Sequence, residues 1–466
     1  MIVLLIFIGF ILRIININQS LWLDEAAQVI ESSLPFEAQF NIPADFQPPL
    51  FHLLLHLWIK LGGTSEAWMR LLPIGLSVVS LIILYKIVNF IYGNRTALLT
   101  TTFMALNPFA VYYAQELRPY PLSLFTALVT IWGLVKKSRL ITIIGITSLL
   151  YATYFAPFFI VSIFIYILLT NRKDVVWFAK NTIISIIIFL PWIPSFLTQF
   201  KNGTDLITKL PGWSEAVSTP IVKAIPLVFA KFFLGRISID QKIIYGGVIL
   251  LLTTIFIYFT YKLSKDKKNY LPLVLFWSTL LVSWLTSFFV PIIDPKRLLF
   301  MVPFFCLILG LGVLKESVAK KIFLSIIIII PFIYGLTIYY TNERFQREQW
   351  KQAVRFVESN GDGTQVVIFA FPAPFAPYQW YSQNLITTLA VAPDFIVNQN
   401  NLDNMTKLLE GRKTVYLFQY LTGLTDPAGS IQKTLELNGY INNKTFDFPG
   451  VGFVYQYDKT ALAVAP

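Results

Sequence analysis

Three groups of residues in this chain have the types and spacing for acid–base and phosphate chemistry. Asp24 and Glu25 stand side by side in "SLWLDEAAQVI" (20–30), and no Lys or Arg occurs from Gln19 to Gln47. Glu116, Arg118 and Tyr120 follow in "YYAQELRPYPLSLF" (112–125), and Lys296 and Arg297 in "DPKRLLF" (294–300). A positioned carboxylate can take the proton of an attacking hydroxyl, which typically contributes about 10²–10⁴-fold. The planar fork of Arg binds phosphate oxygens in pairs, and Lys supplies a compact charge. Each group also has an ordinary structural explanation. Acids suit the start of a helix, a Glu–Arg pair satisfies a turn, and basic side chains at a bilayer surface snorkel to lipid headgroups.

Other motifs carry less. His52 and His56 are spaced i, i+4 in "HLLLH", which suits a metal on one helix face, yet no third ligand is evident. "NGDGT" (360–364) reads as a turn before a strand rather than a phosphate loop, since it has no Lys. Cys306 is the only cysteine and lies in an apolar stretch, which excludes a disulfide scaffold and a thiolate metal site.

The elements that must position these residues are membrane helices. Of 466 residues, 56% are hydrophobic and 13% charged, with a mean hydropathy of +0.64. A soluble domain carries about 25% charge. The apolar residues form blocks of spanning length, expected near 2–16, 67–91, 96–114, 119–135, 140–153, 155–170, 175–196, 242–261, 270–291, 297–314 and 321–340. "MIVLLIFIGFILRI" has no basic n-region and no small-residue cleavage site, so it is expected to be a retained first span.

Charge arbitrates the topology. "KKSR" (136–139), "NRKD" (171–174), "KLSKDKK" (262–268) and "KESVAKK" (315–321) are basic connectors, and basic connectors stay in the cytoplasm. Eleven spans, with 140–170 as a hairpin, put all of them on one side; ten do not. The net charge of +12 then belongs to cytoplasmic loops rather than to a nucleic-acid surface. The N-terminus is expected inside. The outer loops 17–66 and 197–241, the 292–297 turn and everything after about 341 are expected outside. "PPLFHLLLHLWIKLGG" (48–63) and "STPIVKAIPLVFAKFFLG" (218–235) read as interfacial helices. Residues 1–340 thus form a membrane domain. Residues 341–466 alternate β-rich runs, "TQVVIFAF" (364–371) and "KTVYLFQY" (413–420), with helix-like stretches, which predicts a small extracytoplasmic α/β domain.

An apolar first span, then "LWLDEA" and "QPPLFHLLLHLWIKLGGTSEAWMRLLP" (47–73), resembles the C-type integral-membrane glycosyltransferases, within them the protein O-mannosyltransferase and aminoarabinose-transferase-like group. "QELRPY" (115–120) is similar to that group's Glu-x-Arg-x-Tyr stretch, and "DPKRLLFMVPF" to its Arg-Tyr-Leu segment. The resemblance implies a polyprenyl-phosphate sugar donor and sugar transfer on the outer face of the cytoplasmic membrane; the transfer is expected to be inverting, and the low cysteine and Ile-, Asn- and Lys-rich composition fits a prokaryote. It makes Asp24 the base with Glu25 beside it, and Arg118 and Arg297 ligands of the donor phosphate, joined here by Tyr120 and Lys296. Glu25 or Glu116 is expected to orient the acceptor or assist a cation. The acceptor is a protein, lipid or glycan. No cofactor is obligatory; a divalent cation is allowed, although the first loop has no Asp-x-Asp. Two departures from the pattern are Gln47, where some relatives have Lys, and Leu298, where the group often has Tyr. The alternatives are a polysaccharide ligase or polymerase with lipid-diphosphate donors, and a lipid-linked sugar flippase. The His-free loop 197–241 disfavours the first, and charges at span ends without internal repeats disfavour the second.

Overall fold

Each long apolar run folds as a helix, because backbone N–H and C=O groups in hydrocarbon must be satisfied within the segment. The computed structural model describes residues 1–460 except 41, 43, 44, 211, 213–217, 362, 372–374, 394 and 395. Part of the expected loop 197–241 and Asp362 of the "NGDGT" turn therefore lie outside the described residues. In chain order the helices begin with α1 (Ile2–Ile14), α2 (Leu23–Ser33), α3 (Leu50–Gly62), α4 (Glu66–Tyr92), α5 (Asn94–Leu106), α6 (Pro108–Ala114) and α7 (Tyr120–Val135). Then come α8 (Arg139–Leu150), α9 (Ala156–Thr170), α10 (Val175–Phe189), α11 (Ile193–Lys209) and α12 (Ile221–Leu234). The last apolar helices are α13 (Lys242–Ser264), α14 (Tyr270–Thr286), α15 (Val302–Leu314) and α16 (Val318–Thr341).

All eleven expected spans overlap helices. Among the described residues, six helical runs are long and apolar enough to cross a membrane, and the shorter apolar helices include α1, α7, α8 and α9. The 140–170 region is a pair of helices, parted at 151–155, with Pro157 in the first turn of α9 where a missing N–H costs nothing. Three local expectations are corrected. The 96–114 run breaks at Asn107, whose side chain caps α6 by accepting from the Ala110 N–H at 2.9 Å. The 175–196 run does not end there: a 3₁₀ turn at Leu190–Trp192 leads into α11, so helix opens the stretch that reads as loop. α12 is not simply laid on a surface. Its Phe229, Phe232 and Phe233 are buried, with ring contacts to Phe256 and Phe305 at 4.8–5.5 Å.

The chain divides into two compact units. The first holds Met1–Ile17, Ser32–Gly203 and Glu215–Phe345, and includes the helix bundle. α15 is buried nearly all round, the pattern of a central helix. Small residues let neighbours approach closely. A Cβ on Gly145 would lie 2.7 Å from the Thr130 backbone, and one on Gly133 2.5 Å from the Thr142 nitrogen, so α7 and α8 are locked by reciprocal glycines. Arg13 of α1 is buried, and among the described residues its guanidinium donates only to neutral groups, including Ser77 Oγ at 2.9 Å and the Gly9 and Ala105 carbonyls at 2.8 and 3.1 Å. Trp58 and Trp68 stack 4.6 Å apart, and each indole N–H donates to the other's carbonyl at 2.8 and 2.9 Å, clasping α3 to α4.

The second unit holds Asn18–Glu31, Thr204–Ser214 and Gln346–Pro466. Its helices are α17 (Trp350–Ser359), α18 (Ala376–Tyr381), α19 (Gln399–Leu408), α20 (Thr422–Thr425) and α21 (Ser430–Leu437). Its strands are β1 (Gln365–Phe369), β2 (Thr387–Ala390), β3 (Thr414–Phe418), β4 (Tyr440–Phe448) and β5 (Gly452–Lys459), in the order β2-β1-β3-β5-β4. β2, β1 and β3 are parallel; β5 and β4 are antiparallel additions. Strand alternation divides two cores. Val367, Phe369, Tyr416, Phe418 and Val454 pack with α17, and Val366, Ile368, Val415 and Leu417 with α19 and α21. The expected α/β character of the C-terminal region is present.

Replacing Gly145 by Leu is expected to destabilise the protein by about 1–3 kcal/mol, the usual cost of overpacking. Gly246→Ala, at a site with open space for a Cβ, should leave stability unchanged or slightly raised. Thermal unfolding of both variants in detergent checks the contrast.

Candidate active site

The acidic pair forms the first turn of α2. Its two members do different things. Glu25 is fully buried, and its carboxylate accepts from the Trp22 N–H at 3.5 Å, the reach-back of an acid in a helix's first turn. Asp24 is only half-buried.

The segment around the pair is bound into its unit by residues remote in sequence. Ser20 Oγ donates to Gln352 Oε1 at 3.0 Å, the Leu21 N–H to Tyr381 Oη at 2.7 Å, and the Arg347 N–H to Gln19 Oε1 at 3.0 Å. Leu23 packs on the core under α17. A second carboxylate stands close by. Glu348 accepts from Trp350 Nε1 at 2.8 Å and from Tyr420 Oη at 3.1 Å. Burial first, then the Glu348 and Asp24 carboxylates, push the Tyr420 phenol well above its ordinary pKa, so it remains a neutral donor.

The first unit holds the Arg118 group. The 115–119 turn between α6 and α7 presents Arg118, which is buried together with Asp45 and His52. Asp45 Oδ2 lies 2.6 Å from His52 Nε2, and its Oδ1 lies 3.4 Å from Arg118 Nη2 and accepts from the Phe46 N–H at 2.8 Å. Burial pushes the Asp45 carboxyl up, but Arg118, His52 and the Phe46 N–H together hold it well below the usual carboxylate range. The Gln47 amide, turned so that its oxygen faces the donors, accepts from Arg118 Nη2 and, at 3.3 Å, from its Nε. Gln199 Nε2 in turn donates to the Ile42 and Gln47 carbonyls at 2.9 and 3.3 Å, and Tyr154 Oη to Gln199 Oε1 at 2.5 Å. α11 and the turn before α9 therefore hold the loop that holds Arg118.

The remaining sequence candidates are placed as follows. Glu116 is fully buried. Tyr120 is buried with its ring edge-on to Tyr113 at 5.3 Å. Lys296 and Arg297 lie half-buried on a 3₁₀ helix, Pro295–Met301. Asp294 caps it through the Lys296 N–H at 2.9 Å, and Arg297 Nη1 donates to the Ile292 carbonyl at 2.7 Å. His52 and His56 do not form a chelate. His52 Nε2 meets Asp45, whereas His56 Nδ1 faces the Ser32 carbonyl at 2.8 Å. Asp45 and His52 are donors of the kind a divalent ion takes, and the same carboxylate also carries Arg118.

Sequence reasoning missed Asp45, Lys231 and Arg236. Asp45 sits two residues before the Gln47 already singled out, and "FAKFFLGR" (229–236) carries the two cations in plain sight. Burial, then Arg236, lowers the Lys231 ammonium to about 8, against the opposing pull of Asp294. Arg236 Nη1 donates to Tyr112 Oη at 2.7 Å. Glu348 and Tyr420 had no local signal.

With this geometry in view, the likeness to known proteins is informative. Residues 46–195, about a third of the chain, match the sequence model of the dolichyl-phosphate-mannose-protein mannosyltransferase family. The structure of ArnT from Cupriavidus metallidurans bound to undecaprenyl phosphate is similar over 100% of this chain and 99% of that one, with a TM-score of 0.63 and 10% identity. The fold is that of the C-type membrane glycosyltransferases. The oligosaccharyltransferase of Archaeoglobus fulgidus, in a complex with zinc and sulfate, is similar over 97% of this chain and 72% of its own, with a TM-score of 0.56 and 12% identity. The curated proteins include no sequence match. The C-type architecture expected from "LWLDEA", "QELRPY" and "DPKRLLF" is therefore present, while residue roles rest on the chemistry of this chain.

Two measurements test the geometry. Tyr381→Phe removes the acceptor of the Leu21 N–H, and amide exchange at Leu21 should quicken about three- to tenfold. Asp45→Asn should cost about 3–5 kcal/mol at pH 7, because Arg118 is left buried without its counter-charge. Since the folded Asp45 pKa is depressed, its stabilisation is complete above the ordinary value near 4 and lost as pH falls below it. Unfolding temperatures of wild type and variant should converge on acidification below about pH 4.

Proposed function

We propose that the protein transfers a sugar from a polyprenyl-phosphate donor to an acceptor hydroxyl on the outer face of a prokaryotic cytoplasmic membrane, with inversion at the anomeric carbon. The observation that carries this reading is the buried, oriented Arg118 with its Asp45 and Gln47 partners, in a fold whose relative ArnT binds undecaprenyl phosphate. A guanidinium held in this way loses little freedom on meeting a phosphate. The basic connectors support an outward site, because they hold the opposite helix ends in the cytoplasm.

In the proposed step, Asp24 takes the proton of the acceptor hydroxyl. The acceptor oxygen forms its bond to the anomeric carbon from the face opposite the phosphate. The bond from that carbon to the phosphate oxygen breaks, and its electron pair leaves with the polyprenyl phosphate. Arg118 and Arg297, with Lys296 nearby in sequence, stabilise the charge that grows on the leaving group. Lys231 and Arg236 extend the cationic set. Glu25 holds the turn that presents Asp24, so its effect is on placement. Glu116 and Tyr120 shape the Arg118 turn. Acceptor and sugar, hexosyl or pentosyl, belong to the envelope chemistry the donor serves.

Asp24→Asn should reduce transfer by about 10²–10⁴-fold while leaving binding of the lipid-linked sugar intact. Membranes bearing the variant, supplied with radiolabelled polyprenyl-phosphate sugar, read both quantities. Near-normal transfer would remove Asp24 from the role of base.

A further inference from the structure

A polar patch stands on the sheet of the second unit where apolar residues are expected. α17 covers one sheet face with Trp350, Val354 and Val357 over Phe369, Phe418 and Val454. Strand register and alternation place Gln365, Thr414 and Asp458 in one row of this same face, and Tyr416, Gln456 and Lys444 in the next. α17 stops at Ser359, short of covering these rows with apolar side chains. A cavity of about 300 Å³ opens there, walled by Phe356 and Asn360 from the end of α17 and by Phe446 from β4. That is the small end of the roughly 300–1,000 Å³ typical of ligand pockets. It suits one ring-sized molecule, not a lipid chain.

The polar groups are pre-set. Asp458 accepts from Thr414 Oγ1 at 2.6 Å, from Asn443 Nδ2 at 2.9 Å and from Gln456 Nε2 at 3.1 Å. Gln365 Nε2 donates to the Asn360 carbonyl at 2.9 Å. Both carboxylate oxygens are thus engaged and Lys444 is adjacent, which disfavours a cation. A single ammonium beside a carboxylate disfavours an anion. Among the described residues, the side-chain Oε1 of Gln456 and the Lys444 ammonium have no hydrogen bond within the protein. Phe356 and Phe446, half-buried with ring centroids 4.4 Å apart, offer an apolar flank. An aromatic flank opposite amide and ammonium groups is complementary to a molecule with one C–H face and a rim of hydroxyls.

We propose that this cavity is a saccharide-binding subsite, in which one neutral sugar ring lies against Phe356 and Phe446 and hydrogen-bonds through its hydroxyls to Gln456 and Lys444. It would hold a unit of a glycan chain by the C-terminal unit alone. The inference concerns binding and stands independently of transfer at Asp24.

The test is saturation-transfer NMR on the full-length protein in lipid nanodiscs free of glycoside detergent. The probes are the methyl glycosides of mannose, glucose and galactose, with inorganic phosphate as competitor. At least one glycoside should receive saturation, and Gln456→Leu and Lys444→Ala should each weaken its binding about fivefold or more, the loss expected for one hydrogen bond. Asp24→Asn should leave the signal unchanged; its dependence on Gln456 and Lys444, which line the cavity, is what separates this subsite from the transfer chemistry. Saturation of none of the glycosides would overturn the proposal. So would an unchanged signal in Lys444→Ala, an exposed position whose substitution leaves the fold intact even if Gln456→Leu misfolds. Displacement of the sugar by phosphate, or loss of the signal in Asp24→Asn, would also overturn it.

Discussion

Asp45 is a carboxylate buried against a guanidinium and an imidazole, and the polar end of the helix bundle is organised around satisfying it. An unpaired charge at that depth would cost several kcal/mol. Arg118, His52 and the Phe46 N–H remove the penalty together. Each is thereby fixed: Arg118 at the head of α7, His52 on α3 and Phe46 in the loop before it. Gln47 and Gln199 then extend the same accounting to neutral groups, so that α11 and the Tyr154 turn are tied in as well. The bundle thus builds an immobile cation from parts that lie far apart in sequence, as the proposed phosphate-binding role of Arg118 requires.

The second unit solves a different problem. A short acidic segment after the first apolar helix has little apolar surface of its own with which to order itself. It is held by hydrogen bonds to Gln352, Tyr381 and Arg347 and by Leu23 in the core beneath α17. The helices that pack on the C-terminal sheet thereby hold the turn carrying Asp24. Glu25 and Asp24, equivalent as letters, separate by environment. Glu25 is buried and spent on the helix start, while Asp24 keeps partial access to solvent.

The same logic limits what may be replaced. α7 and α8 depend on Gly133 and Gly145 because a membrane bundle gains no hydrophobic drive between helices and relies on close packing. Where the sheet of the second unit is left without an apolar cover, its polar rows and aromatic flank line an open cavity instead of a core.

By itself the sequence determined the class of protein, the eleven apolar runs, the C-terminal strands and helices, and the short motifs that mark a C-type fold. These are local properties: length of an apolar run, strand alternation, and Pro or Asn at a break all act within a few residues. It also pointed to Asp24, Arg118 and Arg297, because charge beside an apolar helix end is conspicuous. Tertiary structure alone decided that Asp45 is an ion-pair partner of Arg118, that His52 meets this carboxylate while His56 faces a backbone carbonyl, and that residues 18–31 belong with a sheet more than 300 positions away. A lone Asp in a loop has no period and no neighbour to betray it; only chain closure brings it the guanidinium that makes its burial affordable.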